Sequence, residues 1–193
     1  GVDGNYHMDI EEILRDLTYD IESMTSEQRK ALRKAELGDR EAIRAIALGL
    51  TYDKSAFGNM NLPLAAKLYQ ISSKLGDIPS MVNIGAMYAE GHGVERSPRE
   101  ALDWFLAASK SGHQGATYNV GLLLAEGDEI GNENTKVSQD VVSAFEYFHL
   151  AYSMFNWKSP AIVNEVTTNA AKQAHDALSD IFAFESWGLN DLS

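Results

Sequence analysis

The sequence contains no cysteine, which excludes disulfides, thiolate metal sites and thiol nucleophiles. Cations are scarce: Lys and Arg number 16 against 28 Asp and Glu, a formal net charge of −12. A broad phosphate-contacting surface needs clustered Lys and Arg, so nucleic acid is set aside as a partner. Long apolar runs are missing too. A stretch such as Val120 to Ala125 falls far short of the roughly 20 residues a membrane span needs. No Asn-x-Ser/Thr acceptor occurs, and nothing alternates at period two for long enough to propose a strand. What is present is 45% hydrophobic and 23% charged, a globular composition. The acidic excess favours solubility and, if focused on one face, a basic partner. A solvated acidic surface is the plainer reading.

Three glycines, Gly49, Gly85 and Gly121, stand 36 residues apart, each inside an apolar pattern of helical period. Glycine in a helix interior costs about 1 kcal/mol relative to alanine, so three at one period imply a repeated packing requirement. Ala65 and Ala101, Leu68 and Trp104, Tyr69 and Phe105, Gly76 and Gly112 keep the same step. Self-similarity of this length is the mark of a stacked repeat array. In the next repeat Ala144, Tyr147 and Phe148 follow 43 residues after Ala101, Trp104 and Phe105. Seven residues are therefore inserted, within the polar stretch Gly127 to Lys136.

Helix punctuation follows the repeat. Thr25-Ser26-Glu27-Gln28 and Ser97-Pro98-Arg99-Glu100 read as capping boxes, the latter with proline at the first helical position, and Ser159-Pro160 starts similarly. Gly38, Gly76 and Gly112 read as left-handed C-terminal residues. These signals predict nine helices at about 9–21, 26–37, 40–53, 63–75, 79–90, 98–111, 115–126, 139–154 and 160–183. Short connections imply antiparallel hairpins. In the last helix Ile162, Val166, Ala170, Ala174, Leu178 and Ile181 form one stripe, suited to a cap that closes the array. The tail carries Phe184, Trp187, Leu189 and Leu192, which either complete that cap or expose a docking patch.

At Asn83-Ile84-Gly85-Ala86-Met87-Tyr88-Ala89-Glu90-Gly91-His92-Gly93-Val94, followed by Ala101, Trp104, Phe105 and Gly112, the chain resembles a Sel-one-like repeat, a short relative of the tetratricopeptide repeat. The specific part is the turn Tyr88-x-x-Gly91-x-Gly93-Val94. Residues 114–154 keep Tyr118-Asn119-Val120-Gly121 but put Leu124 where Tyr88 stands, and residues 40–76 lack the Gly-x-Gly-Val turn. The domain organisation read this way is 1–7 as an expression scar ahead of Met8, and 8–39 as N-terminal helices with a degenerate repeat. Three repeats then span 40–76, 78–112 and 114–154, and 155–193 holds the capping helix and apolar tail. The resemblance implies an all-α, right-handed superhelical solenoid of three to four hairpins. Gly49, Gly85 and Gly121 would let the two helices of a hairpin approach, opposite Ala65, Ala101 and Ala144. Tyr88, Trp104 and Phe105 would fill the gaps.

The same resemblance implies a scaffold that binds a protein or peptide on its concave side and carries no chemistry of its own. Asn83 and Asn119 match the position that holds a ligand backbone in tetratricopeptide relatives. The alternative is that both cap helices or bond between helices inside the array. Neighbouring groove positions are Val82, Ala86, Ala89 and Glu90, then Tyr118, Leu122, Ala125 and Glu126. A second reading makes the chain a small acidic immunity or antitoxin-type protein that neutralises a basic bacterial toxin.

Metal, cofactor and catalytic roles find no pattern. None of His92, His113, His149 and His175 has another histidine at metal-ligand spacing on one helix. Gly91-His92-Gly93 is not a phosphate cradle. Asp128, Glu129 and Glu133 lack the ligand order of a calcium loop. With Met8 as the start, no basic-then-apolar leader is present, and the expectation is a cytoplasmic protein, monomeric or weakly self-associating.

Overall fold

The computed structural model describes residues 24–52, 60–127 and 135–154, and within them seven helices and no strand. They are α1 (Ser26–Glu36), α2 (Arg40–Thr51), α3 (Leu62–Lys74), α4 (Ile78–Glu90), α5 (Pro98–Lys110), α6 (Gln114–Glu126) and α7 (Val141–Ser153). Each packs on the next along the chain, most closely within the hairpins α2–α3, α4–α5 and α6–α7. The all-α solenoid expected from the repeat is what forms, with helix ends within two residues of those read from the sequence. The helices expected at 9–21 and 160–183, Gly1 to His7 and the Trp187 tail lie outside the described residues, as does most of the insertion.

The starts and stops explain themselves locally. Thr25 caps α1 in a reciprocal box with Gln28. Three joints between hairpins are built alike. After α1, Gly38 (φ 79°) donates to Ala35 O and Asp39 to Lys34 O, the paired bonds of a Schellman end. Gly76 (φ 85°) with Asp77, and Gly112 (φ 84°) with His113, repeat both bonds. The residue after each glycine then caps the next helix. Asp39 accepts from the Glu41 and Ala42 amides, Asp77 from Ser80, and His113 Nδ1 from Ala116. One side chain thus closes one helix and opens another. Asp77 is nearly buried and also lies 3.0 Å from Arg44 Nε, an ion pair that ties the first repeat to the second.

Two connected cores result. The first joins α1 to α4 through Leu32, Ile43, Ile46, Leu68, Tyr69 and Ile84, with Trp104 packed against it. The second gathers Leu102, Phe105, Val120 and Val137. Tyr88 touches both and receives a hydrogen bond from Gln70 Nε2 at 2.8 Å. Ala65, Ala101 and Ala144 are fully buried. The nearest neighbours of two repeat glycines are aromatic. A Cβ at Gly85 would come within 2.8 Å of the Phe105 ring, and one at Gly121 within 2.7 Å of Phe148. At these two positions the glycine seats an aromatic ring of its own hairpin partner, a contact that the expectation of small residues opposite small residues did not include. Gly49 is half-buried.

The insertion leaves the hairpin intact. Ser97 N donates to Tyr88 O at 2.9 Å, and the corresponding Asp140 N donates to Leu124 O at 2.8 Å. Val137, 43 residues after Val94, takes the turn valine's place and is 2% exposed. Sequence inspection did not find it, because the seven extra residues hide the register. At Asp140 the Ser143 amide, then its hydroxyl, hold the carboxyl below its ordinary range, as suits an N-cap.

One repeat contact is broken. Ser109 Oγ lies 2.8 Å from Thr117 Oγ1. One period earlier the pair is Ser73 and Met81, and Ser73 Oγ is buried without a hydrogen-bond partner among the described residues. An unsatisfied buried hydroxyl is costly, and alanine is the better helix former. Ser73→Ala should therefore raise stability by about 1 kcal/mol while Ser109→Ala lowers it by about the same. Urea denaturation of the two variants reads the difference. Equal losses would mean that Ser73 has a partner in solution.

Candidate functional site

The C-terminal half of α2, the start of α3 and one face of α4 enclose a cleft of about 430 Å³. From α2 come Leu48, Thr51 and Tyr52; Met60 and Leu62 form the edge where α3 begins, and Tyr69 stands farther along α3. Helix α4 contributes Asn83, Ala86, Met87 and Glu90, followed by His92 in the turn. Positions 83, 87 and 90 are spaced as one stripe of a helix. Leu48, Tyr52 and Met60 are 43%, 63% and 51% exposed, unusual for large apolar side chains grouped around one concavity.

Asn83 is an interhelical residue as well as a cleft residue. Its side chain lines the cleft with the Tyr69 hydroxyl, which lies 3.4 Å from Thr51 Oγ1. Burial pushes the Tyr69 phenol above its ordinary pKa, and polar neighbours, Thr51 first and Asn83 among them, pull partly against that shift. Phe105 stands one period after Tyr69 and has no hydroxyl, so this polar pairing cannot recur at Asn119. At the cleft's end His92 Nδ1 lies 2.8 Å from Glu90 Oε2, both largely exposed.

The sequence-derived groove residues divide into several environments. Asn83, Ala86 and Glu90 meet in the cleft. Val82, Ala86 and Ala89 pack against the second core. Tyr118 leans on Phe148 with ring centroids 5.4 Å apart, and burial, then the Glu126 charge, raises its hydroxyl pKa. Asn119, Leu122 and Ala125 are half-buried on α6, and Glu126 is exposed at its end. Burial, then Glu100, likewise raises the Tyr88 hydroxyl against the bond from Gln70. The α2 and α3 side of the cleft was missed by sequence inspection. The available signal was Leu48 and Tyr52, an apolar pair at i, i+4 flanking Gly49 on the solvent side of a helix.

Among the described residues no group of three His, Cys, Asp or Glu is placed to hold a metal ion. No helix among them is long and apolar enough to cross a membrane.

Two solved structures share the fold. The crystal structure of a Sel1 repeat protein from Oxalobacter formigenes superposes with a TM-score of 0.57 at 22% identity, covering 66% of this chain and 90% of that one. The structure of c5321, a protective antigen present in uropathogenic Escherichia coli strains and displaying an SLR fold, gives 0.53 at 22% identity. That match covers 74% of this chain but 33% of the other. No curated protein sequence matches the chain. The family model for the Sel1 repeat matches residues 45–77, 78–113 and 115–154, more than half of the 193 residues. With three matched repeats built as three hairpins joined by equivalent caps, the chain belongs to the Sel1 repeat family.

Proposed function

We propose that the chain is a non-enzymatic interaction module that holds a segment of a partner protein in the cleft between α2, α3 and α4. The observation that carries this reading is the grouping of exposed Leu48, Tyr52 and Met60 around one concavity. Contiguous exposed apolar surface on a folded domain marks an interface, and the family's repeats serve generally as interaction scaffolds. The chemistry of the lining points the same way. It offers one carboxylate and one imidazole among the described residues, close enough to pair with each other, and Glu90 is the only acid there. The net charge is thus not concentrated in the cleft.

A pull-down from native cell extract, read by mass spectrometry, tests the reading. A partner captured by the wild-type chain should be retained by Leu37→Asp, an exposed position outside the cleft lining. It should be lost, by about tenfold or more, on Leu48→Asp or Met60→Asp, each of which places a charge in an apolar contact. Equal capture by all four proteins would move the interface elsewhere.

A further inference from the structure

Charge at the helix ends differs along the array. Helices α1, α3 and α5 carry cations in the last turn, Arg33 and Lys34, then Lys74, then Lys110, whereas α7, the second helix of the last pair, carries none. Cations in the last turn are the arrangement a helix dipole favours. The first helices, α2, α4 and α6, carry none within the last turn itself, and α4 and α6 end on Glu90 and Glu126; Arg96 Nε, from the turn after α4, donates to Ala89 O at 3.0 Å. A carboxylate at the last helical position opposes the dipole and stacks its charge on the partial negative charge of the terminal carbonyls. Rules of local stability are broken mainly where a site requires it.

At α4 the helix end borders the cleft. Glu90 lines the cleft beside the apolar side chains, and no lysine or arginine is among the described residues lining it. From this we infer that the occupant is a protein segment presenting a bulky apolar side chain followed, within about one helical turn, by arginine or lysine. The apolar side chain fills the space between Leu48, Tyr52, Met60 and Met87, and the cation sits over Glu90. A segment with an acidic residue at that place, or one held by its C-terminal carboxylate, meets like charge at Glu90. This inference rests on the docking reading above and specifies the chemistry of its ligand.

The probes are two fluorescein-labelled peptides with the same Leu and Phe residues, one ending in two arginines and the other in two glutamates. Anisotropy is read at low ionic strength, where the charge preference is least screened. The arginine peptide should bind the wild-type chain about fivefold or more tightly than its twin. Glu90→Gln should abolish the preference and Glu90→Lys reverse it. The lysine suits a helix C-terminus, so the fold, followed by circular dichroism, should persist. If both peptides bind equally and both are lost on Leu48→Asp, the docking reading stands and the inference falls. Binding that is indifferent to Leu48 removes both. Binding by neither peptide overturns the inference and leaves the docking reading to the pull-down.

Discussion

Gly93→Ala should be the most destabilising of the glycine-to-alanine substitutions, at about 3–5 kcal/mol. Two costs add. Gly93 has φ 73°, a left-handed conformation that costs a residue with a Cβ about 1–2 kcal/mol. The new atom would also run into the carbonyl carbon and oxygen of Leu62 and stand 2.8 Å from Pro63 N. Those are backbone atoms at the start of α3, with no rotamer through which to retreat, so overpacking adds about 1–3 kcal/mol. Against a total stability of about 5–15 kcal/mol, thermal unfolding should fall by on the order of 10 °C. Gly112→Ala is the control: its φ is 84°, yet nothing lies within 4 Å of the added carbon, so only the conformational cost of about 1 kcal/mol remains. Equal losses in the two variants would mean that the turn does not rest on α3 as described.

The second large effect is Phe105→Ala. The ring is 3% exposed and lies over Gly85, so its removal should cost about 3–5 kcal/mol as a cavity opens between α4 and α5. The same contact predicts a dependence between sites. Gly85→Ala alone should cost about 1–3 kcal/mol by pressing on the ring. In the Phe105→Ala background it should be close to neutral or stabilising, since the clash is gone and alanine is the better helix former. Denaturant melts of the four proteins of this double-mutant cycle measure the coupling. Additive losses would show that the ring is displaced from Gly85 in solution.

The fold was legible because its determinants are local and periodic. Gly38, Gly76 and Gly112 announce the joints, and Ser97-Pro98 announces α5, without help from distant residues. The glycines at 85 and 121 were legible as packing residues, but their partners were not. Both Ala101 and Phe105 recur at the same period as Gly85, so periodicity alone cannot say which of them a glycine faces. Val137 was hidden because an insertion breaks the count on which register depends. The cleft was half legible. Asn83, Ala86 and Glu90 lie on one helix stripe that a repeat pattern exposes. The opposite wall comes from α2 and the first turn of α3, in the repeat whose Gly-x-Gly turn is missing. Nor does Asn83 in the sequence disclose that Tyr69 shares its cleft, because the two meet only once α3 and α4 pack.

The paired joints at Gly38, Gly76 and Gly112 bear on how tightly anything can be held. In each, the bonds that end one helix and begin the next fall within a few residues of a single glycine. The angle between successive hairpins is therefore set by the backbone before any ligand arrives. A partner meets walls already in place and has to order little besides itself, which removes one of the main entropic penalties of association. Stiffness here is a property of three two-residue elbows, and affinity borrows from it.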